Sequence, residues 1–415
     1  MLNNIIQTVL SKGLISILNF LVVVITAKYT GAEGRGEISM MYLNVTVVLL
    51  INDLIGGGAV TFLTPRHHFL KLTLLALTWA IICGLLFPIL LNLYLNYDRE
   101  NLCWFILLSL SLNLSSCCNA LLNGKEKIRQ NNFGNILQTI SLFAVLLFFI
   151  FIKGNNSPGA YFAALLVGYN LNLLASLFFL RKDFTDPSNK DAKDTLNQMF
   201  VYGMQLQWGN VVQLLNYRLG YYFINSFFIE SGKKMVGIYS TATSVTEAVW
   251  VIMNGISMVQ YAKISNSQDK DFAKLISAKL ARLSFMITLL AILVLNFLPL
   301  SVFTFLFGEE FVEVKQVILL LSPGIALLGL TGIYAHYFAG LGLMKISSMS
   351  AMLGFAVTLV SGFILIPRFN IFGAAVSASL SYFASGLFLV WKFREHSGLS
   401  LKNMFTGYKD LFKLN

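Results

Sequence analysis

The stretch FGNILQTISLFAVLLFFIFI, residues Phe133–Ile152, is twenty residues long and contains no charged side chain. A helix of about 20 apolar residues is what crosses the hydrocarbon core of a bilayer. The rest of the chain has the same character: hydrophobic residues make up 56% of its 415 residues and charged residues 12%, and the mean hydropathy is +0.71. A soluble protein of this length needs more charge to cover its surface. The sequence therefore predicts a protein that crosses a membrane many times.

Apolar stretches of this kind follow one another along the chain and are separated by short loops. They are predicted to be helices rather than barrel strands, because their apolar residues run continuously instead of alternating. The fold class predicted is an all-α polytopic membrane protein with about twelve transmembrane helices. The two longest stretches exceed the thickness of a bilayer, so we expect them to tilt or to begin at the interface. The predicted spans are 6–27, 38–63, 72–96, 102–122, 133–152, 159–180, 198–229, 236–259, 277–307, 316–340, 347–366 and 371–391.

Basic residues predict the orientation of the chain, because cytoplasmic loops carry an excess of Lys and Arg. With the N-terminus inside, the predicted inside loops and tail hold 20 of these residues, and the outside loops, Lys28 and Arg35 among them, hold 8. Both termini are therefore expected in the cytoplasm. This asymmetry and attraction to anionic lipid heads account for the net charge of +11. A nucleic-acid partner is not expected, because the basic residues are scattered over many loops.

One hydrophilic stretch divides the chain near its middle. The sequence RKDFTDPSNKDAKDTLN, residues 181–197, mixes both signs of charge and is typical of a cytoplasmic linker. We expect it to join an N-terminal six-helix lobe, residues 1–180, to a C-terminal six-helix lobe, residues 198–393. Residues 394–415 are predicted to form a cytoplasmic tail.

The two halves show a weak internal repeat at an offset of 201 residues. At this offset Gly36-Glu37-Ile38-Ser39 aligns with Gly237-Ile238-Tyr239-Ser240. Because each half has an even number of predicted spans, the repeats are expected to lie parallel, related by an axis along the membrane normal. A transport site is then expected between the halves, near the bilayer midplane.

Four ionisable residues lie inside predicted spans, where a charge is costly unless it faces protein, a partner or water. They are Lys12, Asp53, Arg218 and Glu247, in spans one, two, seven and eight. Each lies on a stripe of polar residues at helical spacing. By the repeat, spans one and two correspond to spans seven and eight, so the stripes fall on equivalent helices of the two halves.

These stripes supply the candidate site. Asp53 and Glu247 are predicted either to couple transport to an ion or to form ion pairs. In the structural interpretation Lys12 pairs with Asp53, Arg218 pairs with Glu247, and Lys12 reaches toward the cytoplasmic face. The functional and structural interpretations can both hold, because a pair that opens to take an anion is a switch. The residues predicted to line a substrate cavity are Lys12, Asn19, Thr46, Gln207, Asn210, Arg218 and Tyr221.

Several motifs of motors and enzymes are missing from the sequence. There is no GxxxxGK[ST] loop for ATP, no nucleophile-base set, and no large outside loop with paired carboxylates. The four cysteines fall within predicted spans, and none has metal-site spacing with a histidine nearby. We therefore expect a secondary transporter rather than an enzyme. No catalytic residue, metal or cofactor is predicted apart from a coupling ion, H⁺ or Na⁺.

Four segments, in order along nearly the whole chain, resemble the bacterial polysaccharide repeat-unit flippases of the multidrug/oligosaccharidyl-lipid/polysaccharide (MOP) superfamily. Each motif is loose, but the series is fairly specific to the superfamily. One departure is Gly220, near which members of the family often carry an aspartate. The segments are TGAEGRGEISMMYLNVTVVLLINDLIGGGAVTFLTPR (30–66), NYRLGYYFINSFFIESGKKMVGIYSTATSV (216–245), LPLSVFTFLFGEEF (298–311) and IPRFNIFGAAVSASLSY (366–382).

This resemblance implies a V-shaped pair of six-helix lobes around a water-filled, often cationic cavity lined by spans one, two, seven and eight. It implies that the protein flips undecaprenyl-diphosphate-linked oligosaccharides across the bacterial inner membrane. Arg218 matches the family's polar position in span seven and would be the counter-ion of the diphosphate. The implied partners are the polyprenyl-diphosphate oligosaccharide, membrane lipids, and polysaccharide polymerase or export proteins, and a monomer is expected.

Two other functions remain open at this point. A Na⁺- or H⁺-coupled multidrug or metabolite antiporter of the same superfamily would use Asp53 and Glu247 for cations. A scaffold membrane protein or a polymerase subunit is a third possibility. The polar stripes argue against a scaffold, and the short outside loops argue against a polymerase.

Overall fold

The described chain is helical throughout, with short connections. The structure is a computed structural model that describes residues 2–185, 195–265 and 269–400, without the side chains of residues 2–9 and of several residues between 250 and 270. Parts of the predicted linker 181–197 and tail 394–415 lie outside these residues. The helices are α1 Leu2–Gly56, α2 Gly58–Leu63, α3 Phe69–Leu95, α4 Arg99–Gly124, α5 Ile128–Leu147, α6 Pro158–Leu180, α7 Thr195–Phe227, α8 Gly232–Ser265, α9 Lys270–Phe297, α10 Leu300–Phe307, α11 Val314–Gly340 and α12 Met344–Ser397.

Eight helical stretches among the described residues are long and apolar enough to cross a membrane. Two of them, Leu10–Leu63 and Met344–Ser397, are 54 residues long, about twice the length that one crossing requires. The helices α7 and α8 are 33 and 34 residues long but are less apolar, since they carry the predicted polar stripes. The predicted all-α polytopic membrane protein is therefore confirmed.

The long helix α1 is broken at one residue, Gly31, whose φ of 70° and ψ of −180° are not helical. Glycine adopts this positive φ without the steric cost that a Cβ would add. The helix resumes at Ala32, and its backbone N–H donates to Glu310 Oε2 at 2.7 Å. A carboxylate at the start of a helix satisfies a free N–H group and complements the helix dipole.

The loop predicted between spans one and two is corrected by this geometry. Residues 28–37 are helical on both sides of Gly31, so Arg35 lies in a helix rather than in an irregular loop. Arg35 is also only 7% exposed. The prediction failed because a run of glycines and charges is typical of a loop, whereas here a distant carboxylate caps the second part of the helix.

The stretch predicted as one span over 277–307 is instead two helices, α9 and α10. Proline disfavours helical backbone in the residue that precedes it, and Leu298, directly before Pro299, has a ψ of 133°. Pro299 then lies at the N-cap of the eight-residue α10, which ends at Phe307 and is followed by Gly308 with a φ of 105°. The excess length of this stretch is therefore explained by a break.

The chain divides into two compact units. Unit 1 comprises Met1–Thr30 and Glu37–Val211, and unit 2 comprises Gly31–Gly36 and Val212–Asn415. Unit 1 contains two clusters of buried apolar side chains, around Phe105 and Phe162 and around Leu121 and Met199. In unit 2 a cluster of buried aromatic residues joins α11 to α12, where Tyr334 stacks on Phe393. The division falls inside α7 and inside α1.

Within unit 2, two glycines allow the segment Gly31–Gly36 to pack directly on the start of α8. A Cβ on Gly36 would lie 1.7 Å from the backbone oxygen of Lys233. A Cβ on Gly237 would lie 1.8 Å from the backbone oxygen of Ala32. The contact is symmetric, because each glycine packs against the carbonyl group that lies four residues before the other glycine. Gly36 and Gly237 are also the two glycines that the 201-residue offset aligns.

Candidate functional site

The centre of the candidate site is an ion pair inside unit 2. Arg218 Nη1 lies 2.8 Å from Glu247 Oε1, and Nη2 donates to Glu247 Oε2 at 2.9 Å. The two parallel contacts form a bidentate pair, the strongest geometry that a guanidinium makes with a carboxylate. The side chains are 27% and 36% exposed. The pair is therefore partly shielded but reachable from outside the protein interior.

Consecutive helices bring these two residues together. The helix α7 ends at Phe227 and α8 begins at Gly232, so the connection is short. Helices joined by a short connection lie as antiparallel neighbours. Residues three or four apart share a helix face, which places Tyr221 beside Arg218 on α7 and Thr243 beside Glu247 on α8.

A chain of hydroxyl groups fixes the position of the guanidinium. Arg218 Nη1 donates to the Tyr221 hydroxyl at 2.9 Å, and that hydroxyl lies 2.8 Å from Thr243 Oγ1. Thr243 in turn donates to the backbone oxygen of Ser240 at 3.0 Å, so Tyr221 donates to Thr243. Tyr221 and Thr243 are both buried. Satisfied networks of this kind hold a charged side chain in one conformation.

A small cavity of about 20 Å³, room for about one water molecule, adjoins the carboxylate. Two tyrosines from different helices, Tyr217 and Tyr382, form one part of its wall, with ring centroids 5.6 Å apart in an edge-on contact. The cavity therefore offers hydroxyl groups and aromatic edges beside an apolar floor from α11. Its full lining is Tyr217, Thr243, Thr246, Glu247, Leu321, Ile325, Leu328 and Tyr382.

The other predicted site residues lie in unit 1. Gln207 is buried and accepts a hydrogen bond from Asn210 Nδ2 at 2.9 Å, so this part of the predicted α7 stripe is brought together. Thr46 is half-buried and donates to the backbone oxygen of Tyr42 at 2.8 Å. Lys12 and Asn19 are exposed on α1.

The remaining carboxylate of the prediction, Asp53, is half-buried near the end of α1. The side-chain amide of its neighbour Asn52 donates to Asp53 Oδ1 at 3.3 Å. Asn52 also contacts the Cys117 thiol of α4 at 3.8 Å. The described hydrogen-bond partner of Asp53 is thus a neutral amide.

Several site residues were missed by the sequence analysis. Tyr217 and Tyr382 were not predicted, because a tyrosine in an apolar span gives no signal of its own. Arg35, whose charge acts on the Tyr221 hydroxyl, was missed because it was assigned to a loop. The segments quoted for the family resemblance did contain all three, and this was the signal that could have found them. In the part of the chain that the structure describes, no group of His, Cys, Asp and Glu could hold a metal ion.

Comparison with protein families finds one matching family model, that of the polysaccharide biosynthesis proteins, over residues 1–268. This match covers well over half of the chain, including α7, α8 and the Arg218–Glu247 pair.

Among curated proteins, an uncharacterized membrane protein of Methanocaldococcus jannaschii is 24% identical over 68% of this chain. The capsular polysaccharide biosynthesis protein CapF of Staphylococcus aureus is 24% identical over 45% of the chain. A candidate O-antigen transporter of Shigella flexneri is 21% identical over 67%. The matches span 58%, 48% and 66% of these relatives' own lengths, between about half and two thirds of each.

Solved structures with the same fold match nearly the whole chain. An inward-facing multidrug resistance transporter of the MATE family, in the MOP superfamily, has a TM-score of 0.71 at 13% identity, over 92% of this chain and 94% of that one. The lipid II flippase MurJ, in an inward closed conformation, has a TM-score of 0.70 at 14% identity, over 98% and 92%. At such low identity these matches establish the fold alone.

Proposed function

Because this chain belongs to the polysaccharide biosynthesis protein family and has the fold of MOP superfamily transporters, we propose that it flips polyprenyl-diphosphate-linked oligosaccharide repeat units. The proposed direction is from the cytoplasmic to the periplasmic leaflet of a bacterial inner membrane, by alternating access. The carrier lipid proposed is undecaprenyl diphosphate. The names of two relatives, which refer to capsular polysaccharide and O-antigen, support a polysaccharide precursor as the cargo. The family and fold support a transporter rather than an enzyme.

The observation that carries the proposal is the partly buried guanidinium of Arg218 on the long helix α7 of unit 2. A diphosphate with about two negative charges must pass a region of low dielectric constant, where an unpaired anion is very costly. A guanidinium binds phosphate through two parallel N–H groups and stays charged at every relevant pH. Arg218 is therefore the proposed counter-ion of the diphosphate. Lys12, Asn19, Thr46, Gln207, Asn210 and Tyr221 are the other residues proposed to line the path.

The proposed topology has twelve crossings. The helix α12 is broken at Asn370, whose φ of 52° and ψ of −134° are not helical, as α1 is at Gly31. Taking α1 and α12 as two crossings each and adding the polar helices α7 and α8 to the other candidates supports this number. The proposal places six crossings in each of two parallel lobes, residues 1–180 and 198–393. It places both termini and the linker 181–197 in the cytoplasm. We also propose that the protein is a monomer and that it contacts polysaccharide polymerase or export proteins.

Substitution of Arg218 tests the proposed function. Arg218→Ala is expected to abolish transport, and Arg218→Lys to retain a fraction, because an ammonium supplies the charge but not the paired N–H groups. Surface display of the polysaccharide is measured in cells that depend on this protein, with its membrane abundance measured alongside. Arg181→Ala is the matched control, since Arg181 is exposed at the end of α6. Full display by Arg218→Ala at normal abundance would remove Arg218 from the mechanism, and loss of the protein itself would assign Arg218 a structural role.

A second candidate function is a Na⁺- or H⁺-coupled multidrug or metabolite antiporter. Asp53 favours it, since a half-buried carboxylate beside a neutral amide suits a cation. In that case expression should protect cells against toxic cationic compounds, and Asp53→Asn should remove the protection. If expression gives no protection, the antiporter function is excluded, and if Asp53→Asn leaves an existing protection unchanged, Asp53 is not the coupling residue.

A further inference from the structure

Glu247 lies between two different environments in unit 2. On one side its carboxylate pairs with Arg218. On the other side the same residue forms part of the wall of the small cavity, which has room for about one water-sized group such as a carboxyl oxygen. If the ion pair with Arg218 is broken, the side chain of Glu247 can therefore turn toward this cavity.

The N–H groups of Arg218 decide whether an anion can bind without opening the pair. Both hydrogens of Nη1 are engaged, one by Glu247 and one by Tyr221. One hydrogen of Nη2 is engaged by the other oxygen of Glu247. A guanidinium has five N–H groups in a fixed fork. An anion that takes the paired edge must therefore displace Glu247.

Displacement creates a problem of charge. A free carboxylate beside a bound diphosphate meets like charge, and a carboxylate among apolar side chains is costly. Protonation of Glu247 removes both penalties. A neutral carboxylic acid then needs only hydrogen-bond partners in the place that receives it.

The cavity suits the neutral acid. Three apolar side chains of α11 form its floor, namely Leu321, Ile325 and Leu328. Opposite them, within the residues that the structure describes, the Tyr382 hydroxyl makes no hydrogen bond, and the ring is held by its edge contact with Tyr217. A hydroxyl both donates and accepts, so Tyr382 can serve either oxygen of the acid.

We propose that an anion entering at Arg218 displaces Glu247 into this cavity, where Tyr382 receives it, and that each displacement takes up one proton from water. The proton adds to a carboxylate oxygen of Glu247, and no other bond forms or breaks. The inference rests on the proposed function, because it requires Arg218 to bind the phosphates. It names Glu247 as the proton-linked residue and Tyr382 as a positioning residue.

The groups around Glu247 allow this assignment. Arg218, Tyr217 and Tyr221 lie on α7, Tyr239 on α8 and Tyr382 on α12, and each interacts electrostatically with the carboxylate. The α11 side of the cavity is apolar. Arg35 acts on Tyr221 from the segment 31–36. Tyrosine and arginine keep their charge near neutral pH, so within this set the proposed proton is assigned to Glu247.

Calorimetry with inorganic pyrophosphate tests the proton step on purified protein in lipid discs. Titrations in two buffers of different ionisation enthalpy give the number of protons taken up with each anion. The wild type is expected to take up about one proton near neutral pH, by linkage. Glu247→Gln is expected to take up none and to bind pyrophosphate at least about tenfold more tightly, because the competing charge is gone. Pyrophosphate binding without proton uptake by the wild type would overturn the inference.

The role of Tyr382 is tested in two backgrounds. Tyr382→Phe should weaken pyrophosphate binding by about threefold to tenfold in the wild type, the worth of one hydrogen bond. In the Glu247→Ala background, Tyr382→Phe should leave pyrophosphate binding unchanged, because there is no longer a carboxylic acid for the Tyr382 hydroxyl to bind. Equal effects in both backgrounds would exclude Tyr382 as the receiving residue. Tyr334→Phe is the matched control, since Tyr334 is an equally buried tyrosine stacked on Phe393.

Failure of this inference is distinguishable from failure of the proposed function. If wild type and Arg218→Ala both fail to bind pyrophosphate, the anion site itself is refuted, and the inference falls with it. If Arg218→Ala alone fails to bind while no proton is taken up by the wild type, the anion site stands and the role of Glu247 is refuted.

Discussion

At the scale of single residues, the polar side chains inside the helices are held by specific hydrogen bonds. Asn216, one helical turn from Gly220, is an example in unit 2. Its Oδ1 accepts from Thr358 Oγ1 at 2.7 Å and from Ser381 Oγ at 2.6 Å. One amide oxygen therefore satisfies hydroxyl groups from both parts of the kinked helix α12. This contact joins α7, which carries Arg218, to α12, which carries Tyr382.

Asn216→Ala is predicted to destabilise the protein by about 1–2 kcal/mol, because the buried Thr358 hydroxyl loses its acceptor and the buried Ser381 hydroxyl keeps only the backbone oxygen of Gly354. The midpoint of thermal unfolding in detergent should fall accordingly. Gln205→Ala, at an exposed position on the same helix, should leave the midpoint unchanged. An unchanged midpoint for Asn216→Ala would mean that this oxygen does not hold α7 to α12.

At the scale of elements, α1 shows how a distant contact decides the course of a helix. Gly31 supplies the positive φ, and Glu310, which follows α10, caps the N–H of Ala32. Two of the segments that resemble the flippase family, 30–66 and 298–311, therefore meet at one hydrogen bond. Beside it, the segment Gly31–Gly36 packs on α8 through Gly36 and Gly237.

Alanine at Gly36 or at Gly237 is predicted to separate these segments, because the added Cβ would overlap a backbone oxygen that cannot rotate away. Overpacking of this kind costs about 1–3 kcal/mol or more. Both variants should lower the thermal midpoint and reduce polysaccharide display. Gly255→Ala is the matched control within α8, since a Cβ there meets nothing within 4 Å. If Gly36→Ala and Gly237→Ala behave like Gly255→Ala, the close packing at Gly36 and Gly237 does not exist in the membrane.

At the scale of the whole molecule, the order of the helices and the distribution of basic residues bear on topology. The predicted inside loops and tail carry 20 Lys and Arg residues against 8 outside. The connection between α5 and α6 is exposed, and Gly154 within it has a φ of 66° with no neighbour near its Cβ position. An insertion there should be tolerated, because no buried backbone is disturbed.

Reporter fusions are predicted to show an alternating topology. A reporter that works only outside the cytoplasm should be active when fused at Gly154 and inactive when fused after residue 190 or at the C-terminus. A reporter that works only in the cytoplasm should give the opposite pattern. Activity of the outside reporter after residue 190 would refute the twelve-crossing topology with its N-terminus in the cytoplasm.

The sequence by itself determined that this chain is an all-α membrane protein of a transporter family, and it singled out Arg218 and Glu247. These conclusions depend on local properties: the length of apolar runs, the spacing of polar residues along one helix, and the adjacency of α7 and α8 through a short connection. Residues four apart on a helix share a face wherever that helix lies. Residues three apart share a face in the same way, so the proximity of Tyr221 to Arg218 was predictable, and the short connection between α7 and α8 made that of Arg218 to Glu247 predictable.

Only the tertiary structure decided which distant residues complete the site. Tyr382 lies 135 residues beyond Glu247 in the chain, and Glu310 lies 278 residues beyond Ala32. Hydropathy describes the environment that a residue prefers and carries no information about its partner. The prediction that Arg35 lies in a loop was wrong for this reason, because a distant carboxylate caps its helix. The prediction that 277–307 is one span was wrong because Pro299 breaks the helix. A cap, a cavity wall or a glycine contact forms where separate helices meet, and that meeting is set by the packing of the whole fold.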